Sequence, residues 1–303
     1  MRVLVCDPIH PSGLDLLMRR GLQVDYEPMI SGEELLERVA DYDCLIVRSR
    51  TKITGEVLRR AKRLRLVARA GSGVDNIDLE EAARRGVKVV RVPEAVADSV
   101  AELTIGLLLI LARRLHGILS NRGRESREGM ELRGKTLGVV GFGCIGSRVA
   151  AIGRTLGMKI LVNDVRKISE KVLEGLDAES VRLGKLLSLS DFVTLHIPLT
   201  EKNYGLLGEE ELRIMRNTAY LINTSRPDIV DSQALYRALR EGWIAGAAFD
   251  ADDDWIGRNE KLLELENFIV TPHIGAKTSE AYQRVSEEVA RRAAETLTLK
   301  PLP

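Results

Sequence analysis

Three stretches of this sequence hold residue types at spacings that do chemistry. The first is Gly141-Phe142-Gly143-Cys144-Ile145-Gly146, where an apolar run over 137–140 meets a G-x-G-x-x-G turn and a helical pattern follows. Gly141 allows a tight turn, Gly143 lets a pyrophosphate approach the backbone, and Gly146 lets the helix pack close to the strand. The first helical N–H groups, from Cys144 and Ile145 onward, then face the phosphates together with the helix dipole. A second apolar run, 159–163, ends in Asp164, eighteen residues beyond Gly146. A carboxylate there accepts hydrogen bonds from both ribose hydroxyls and repels a 2′-phosphate, so the stretch predicts NAD as the cofactor. The second stretch, Asn223-Thr224-Ser225-Arg226, closes an apolar run. An Arg at that edge makes a forked contact to a substrate carboxylate while polarising the adjacent carbonyl. The third is Pro272-His273-Ile274-Gly275. Of the four histidines, His10, His116, His196 and His273, the last sits at a strand end before a glycine turn and is the best proton carrier. Between these two lie Asp250, Asp252, Asp253 and Asp254, one of which can hold His273 in its tautomer and raise its pKa toward neutrality. Hydride transfer leaves a hydroxyl proton to be managed, so a His and an Arg beside nicotinamide suit the interconversion of 2-hydroxy and 2-oxo acids.

Those residues need elements to place them. Short apolar runs at 3–5, 43–47, 64–68 and 87–90 alternate with amphipathic stretches at 13–20, 54–61 and 78–85. The same alternation resumes from 136 onward, with strands expected at 191–197, 219–223, 244–250 and 268–271 and helices at 209–215, 233–241 and 279–297. Strands separated by helix-length segments imply parallel sheets covered on both faces. The fold class is therefore α/β, as two doubly wound parallel-sheet domains, with ligands bound outside the carboxyl ends of the strands. A long apolar helix is expected from Asp98 or Ser99, as N-cap, to about Leu119, followed by a polar segment over 121–129. Its eleven to fourteen apolar positions are too few for a membrane span and suit burial between domains or subunits.

Bulk properties narrow the partners. A formal net charge of +1 gives no electrostatic reason to expect nucleic acid or an acidic membrane surface. Three scattered cysteines, Cys6, Cys44 and Cys144, exclude a disulfide framework and offer no zinc spacing, so no metal site is expected and a reducing, cytoplasmic setting fits best.

Taken together, Gly141 to Gly146 with Asp164, the TLHIPLT run over 194–200, NTSR at 223–226 with Val230-Asp231 and Ala234-Leu235, and TPHIGA over 271–276 resemble the D-isomer-specific 2-hydroxyacid dehydrogenases. The resemblance covers essentially the whole chain. It implies a larger Rossmann NAD-binding domain, 98–278, inserted into a flavodoxin-like substrate domain, 1–97 plus 279–303. It also implies a homodimer or dimer of dimers that exchanges contacts through the long apolar helix. By the same resemblance Arg226 binds the substrate carboxylate and carbonyl, His273 is the acid/base, and Asp164 holds the adenosine ribose. His196 and Pro198 line the adenine side, and Thr224 and Asp250, with Ser225 and Gly275 beside them, lie near the nicotinamide. Within the family the segments Arg48-Ser49-Arg50-Thr51-Lys52 and Arg69-Ala70-Gly71-Ser72-Gly73 look like the phosphoglycerate dehydrogenase branch, where Arg48, Lys52 and Arg69 offer cations to a phosphate and Gly71 to Gly73 offer backbone N–H groups to a carboxylate. The implied reaction is NAD-dependent oxidation of D-3-phosphoglycerate to 3-phosphohydroxypyruvate, a step of serine biosynthesis. Two rivals stand beside it: a glyoxylate or hydroxypyruvate reductase of the same family, and a non-catalytic, NADH-sensing corepressor-like protein.

The sequence departs from the family pattern twice. The family places a Glu five residues after the aspartate matching Asp250, and an ungapped count lands on Trp255. A one-residue shift puts Asp254 or Asp253 in that role, with Asp254 taken as the partner of His273. Pro227 follows Arg226 where a small residue is usual, removing an N–H and driving Arg226 toward an extended conformation.

Overall fold

The computed structural model describes residues 1–115, 117 and 128–298. The chain forms two compact units, Met1–Val96 with Lys277–Pro303, and Ala97–Ala276.

The first unit is built on five parallel strands, β1 (Arg2–Val5), β2 (Gln23–Tyr26), β3 (Cys44–Val47), β4 (Leu66–Arg69) and β5 (Lys88–Arg91), in the order β2-β1-β3-β4-β5. This is the flavodoxin-like order. Strands β1 and β3 lie inside the sheet and read as unbroken apolar runs because helices cover both faces. The helix Ser279–Thr298 packs on the helix Pro11–Arg19 so closely that a Cβ at Gly13 would stand 2.6 Å from the Ser286 carbonyl oxygen. The Ser286 hydroxyl accepts the His10 N–H at 2.9 Å in the same seam.

The second unit has seven parallel strands: β6 (Thr136–Val140), β7 (Lys159–Asn163), β8 (Ala178–Ser180), β9 (Phe192–Leu195), β10 (Tyr220–Asn223), β11 (Gly246–Ala251) and β12 (Phe268–Pro272). Their order, β12-β11-β10-β9-β6-β7-β8, puts β6 between β7 and β9, so the chain reverses its direction of progress across the sheet at β6/β9. That reversal is where a doubly wound sheet opens a crevice for ligand. Successive side chains alternate between two apolar layers: Leu221 and Phe249 on one face, Ile222 and Ala248 on the other. Both sheets are wholly parallel, as the α/β reading expects.

One helix departs from expectation. It runs Pro93–Ala112, beginning five residues before the Asp98 to Ser99 cap read from the sequence. Proline is tolerated in a first helical turn because its missing N–H would have no intrahelical acceptor there. Asp98 instead pairs with Arg148, and the buried Ser99 donates its hydroxyl to the Gly275 carbonyl at 2.6 Å. At 20 residues the helix is long and apolar enough to cross a membrane, contrary to the count of apolar positions, and 67% of its most apolar window is buried within the protein. Ile105, Leu108 and Leu111 share a core layer with Leu137 and Val139 of β6. The expected helix end near Leu119, His116, and the polar segment through 127 lie outside the described residues.

Candidate active site

Every strand of the second unit runs the same way, so the glycine turn after β6, Asp164 after β7, His196 after β9, Arg226 after β10 and His273 after β12 share one edge of the sheet. The turn is shaped by what its glycines leave out. Gly141 has φ +91°, a conformation that L side chains rarely adopt, and a Cβ there would stand 2.6 Å from the His196 carbonyl oxygen. A Cβ on Gly146 would collide with the Gly141 carbonyl oxygen, whereas at Gly143 the nearest atom is an Arg166 guanidinium nitrogen at 3.9 Å. The helix Cys144–Thr155 starts directly behind, with Gly143 as N-cap and no side-chain cap bond. Its first N–H groups are thus left to face a ligand, and an open cradle over a 12-residue helix fits a dinucleotide pyrophosphate. Cys144 and Ile145 form its first turn, with Ile145 packed on the core.

Asp164 closes the cradle. Its carboxylate accepts the Phe142 N–H at 2.8 Å, which ties the end of β7 to the glycine turn. It also accepts the Arg166 N–H at 2.8 Å and the Arg166 side chain at 3.2 and 3.3 Å. Burial pushes this carboxyl's pKa up, but the N–H donors of Arg166 and Phe142 outweigh it and hold the group below the usual range. Across the turn, both ring nitrogens of His196 are buried without a hydrogen-bond partner among the described residues, and burial pushes the imidazole down to about 3. Pro198 is exposed, and its carbonyl accepts the Asn203 side chain at 2.6 Å.

The two reactive turns are each clamped by a buried polar residue at the end of a strand. Asn223, 1% exposed, accepts the Ser225 N–H and hydroxyl at 3.0 and 2.8 Å and donates its amide to the Arg226 carbonyl at 2.8 Å. Thr224 meets Thr104 of the long helix, hydroxyl to hydroxyl at 2.8 Å. Arg226 itself is extended, φ −131° and ψ 124°, as the following Pro227 requires, and its guanidinium donates to the Ser225 carbonyl at 2.9 Å. One strand over, Asp250 is 4% exposed and accepts the Thr271 hydroxyl at 2.6 Å and the Ile274 and Gly275 N–H groups at 2.8 Å each. Those contacts enclose His273, which is exposed and left-handed at φ +48°. Asp250 therefore holds the His273 turn with both oxygens, and Oδ2, with the Gly275 N–H as its donor, keeps an acceptor site. Gly275 is required for closeness, since a Cβ would lie 3.1 Å from an Asp250 oxygen.

The acidic run is divided by function. Asp252 caps the helix Asp253–Arg258 by accepting the Trp255 N–H at 2.9 Å, which leaves Asp253 and Asp254 exposed in its first turn. Trp255, standing where the count expected Glu, is 2% exposed and stacks on Phe249 at 5.6 Å between ring centroids.

In the first unit, Arg48 lies over the Tyr282 ring at 5.2 Å, and its N–H donates to the buried Asp7 carboxylate at 2.5 Å. Asp7 also binds Thr51 and Arg50, while the Asn76 amide reaches the Arg48 and Thr51 carbonyls at 2.8 and 2.6 Å. Ser49 and Lys52 are exposed. Arg69 donates to the Ala70 carbonyl at 2.5 Å, and a Cβ at Gly71, φ +150°, would strike its guanidinium. Ser72 accepts Arg91 at its carbonyl at 2.9 Å, and Gly73 is half-buried. The clamps Asp7, Asn76 and Asn223, and the Asp164 partner Arg166, were missed from sequence. The signal available for Asn223 and Asp7 was a short polar side chain at a strand end, where it hydrogen-bonds local backbone.

Comparison with known proteins agrees with this arrangement. The family model described as D-isomer specific 2-hydroxyacid dehydrogenase, NAD binding domain, matches residues 105–275. A D-3-phosphoglycerate dehydrogenase of Methanocaldococcus jannaschii is 40% identical over 98% of this chain, which spans 57% of that relative's length. A glyoxylate reductase of Thermococcus gammatolerans is also 40% identical, over 96% of this chain and 91% of its own. Among solved structures, an Aquifex aeolicus D-lactate dehydrogenase complexed with NAD and lactic acid superposes with a TM-score of 0.82 at 31% identity, covering 97% of this chain and 94% of the other.

Proposed function

The chain belongs to the D-isomer specific 2-hydroxyacid dehydrogenase family, and from that premise we propose that it is an NAD-dependent D-3-phosphoglycerate dehydrogenase. The observation that carries the reading is the pair of clamped turns, with Arg226 after β10 and His273 after β12 on either side of β11. Bound nicotinamide supplies the hydride acceptor. Arg226 orients the substrate carboxylate with its planar fork and polarises the carbonyl of the 2-oxo acid when the reaction runs in reverse. The His273 imidazole takes the hydroxyl proton as the 2-oxo acid forms. Asp254, in the exposed first turn of its helix, is assigned to support His273 electrostatically. The cofactor is assigned to Gly141, Gly143, Cys144, Ile145, Gly146, Asp164, His196 and Pro198, with Thr224, Ser225, Asp250 and Gly275 toward the nicotinamide.

Arg48, Lys52 and Arg69, with Ser49 and the Gly71-Ser72-Gly73 backbone, are the proposed phosphate and carboxylate donors that select phosphoglycerate. A second reading, glyoxylate reduction, is favoured by the Thermococcus relative, whose length this chain nearly matches. An initial-rate screen of 3-phosphohydroxypyruvate, hydroxypyruvate and glyoxylate with NADH separates them. A kcat/KM for the phosphorylated acid about 10- to 100-fold above the others is expected, since a charge-assisted fork contributes that much. Equal or higher values for glyoxylate would replace the proposal by the second reading, and no turnover of any of the three would favour the sensing role.

A further inference from the structure

The carboxylate placed for the ribose is already engaged. Asp164, with its side chain 7% exposed, receives three N–H donors from Arg166, whose own side chain is 72% exposed. With the Phe142 N–H, two donors reach each carboxylate oxygen, so a ribose hydroxyl takes the place of one of the longer Arg166 side-chain bonds, at 3.2 and 3.3 Å. What the pairing removes is net charge: a lone carboxylate repels a 2′-phosphate, whereas a carboxylate bound to a guanidinium presents a neutral pair with its cationic half toward solvent. That half is well placed, because the same guanidinium stands 3.9 Å from where a Gly143 Cβ would be, beside the phosphate cradle. Lys167, the next residue, is exposed and adds a second cation.

We propose that Asp164 and Arg166 together form a two-way selectivity device, Asp164 accepting the ribose 2′-hydroxyl of NAD(H) and Arg166 the 2′-phosphate of NADP(H), so that this site binds both dinucleotides. The inference rests on the reading of the glycine turn as the cofactor cradle. It departs from the sequence-based expectation that Asp164 alone rejects the phosphorylated form, because the rejecting charge is cancelled in place.

The test is equilibrium binding of NADH and NADPH to the whole protein, without substrate, followed by calorimetry and by quenching of Trp243 and Trp255. In the wild type the two dissociation constants are expected within about tenfold of each other. In Arg166→Ala, NADPH is expected to weaken by about 10- to 100-fold, the worth of a charge-assisted contact, while NADH changes by less than about threefold. The side chain is mostly exposed, so the variant keeps its fold, which circular dichroism checks. A wild type that binds NADH but holds NADPH more than about 100-fold less tightly would overturn the proposal. So would an Arg166→Ala variant in which the ratio of the two constants stays the same. Failure of the wild type to bind NADH at all would instead overturn the reading of the cradle on which the proposal rests.

Discussion

At the scale of single residues, the site depends on two buried side chains that hold the turns carrying Arg226 and His273. Asp250 gives both oxygens to the turn that presents His273, and Asn223 gives its whole amide to the turn that presents Arg226. Asp250→Asn turns one of these oxygens into an NH2 group facing a backbone N–H, donor against donor, inside a buried pocket. The His273 turn must then shift. The expected result is a kcat lower by about 100-fold with KM changed by less than about threefold, because proton transfer needs near-hydrogen-bond geometry that carboxylate binding does not. Steady-state kinetics in the NADH-forming direction reads the split, and a kcat within threefold of wild type would remove Asp250 from any positioning role. His273→Ala is expected to take turnover down by about a thousandfold, within the range that acid/base groups contribute, and to leave the NADH dissociation constant unchanged. Unaltered turnover would remove His273 as the proton carrier.

At the scale of elements, β11, β12 and the helix Asp253–Arg258 are locked by an aromatic group, with Trp255 on Phe249 at 5.6 Å and Phe249 edge-on to Phe268 at 5.5 Å. This packing holds the strand ends that carry Asp250 and His273. Trp255→Ala would leave a cavity under both, and is expected to cost about 3–5 kcal/mol, read as a lower midpoint in chemical denaturation followed by circular dichroism. A loss below about 1 kcal/mol would mean that the helix is held by other contacts. The same element shows where sequence reading stopped. The strands were legible because unbroken runs such as Cys44–Val47 and Tyr220–Asn223 can only be interior parallel strands, and Arg226 and His273 followed from their places at strand ends. Which aspartate serves which purpose was not legible, because it depends on register. Asp250 lies opposite Thr271 in the ladder, and that pairing alone brings its carboxylate within reach of Ile274 and Gly275. The Arg166 approach to Asp164 is likewise set by the backbone path after β7, and the early helix start at Pro93 by packing that outweighs an attractive capping residue downstream.

At the scale of the whole molecule, a net charge of +1 means that near neutral pH no large self-repulsion drives unfolding, so stability on mild acidification is governed by individual buried groups. His196 is the clearest of these. Its ring nitrogens are buried without partners among the described residues, and burial holds it down to about 3, against about 6.5 for histidine in an unfolded chain. Between those values the unfolded chain binds a proton that the folded one refuses, so stability falls as pH drops through the window and is unaffected above it. Carboxylates with lowered values, such as Asp164, Asp25 and Glu288, add their own loss only below about pH 4.5. The interval from about pH 6.5 to 4.5 therefore isolates the histidine. Replacing His196 by Phe keeps an aromatic ring in the apolar site and removes the titration. Urea unfolding at half-unit pH steps is expected to show a decline for the wild type across that interval and a flatter curve for His196→Phe, the two meeting the same steep loss below it. Parallel curves would show that His196 takes up its proton alike in the folded and unfolded chain and that its buried ring nitrogens carry no acid sensitivity into the fold.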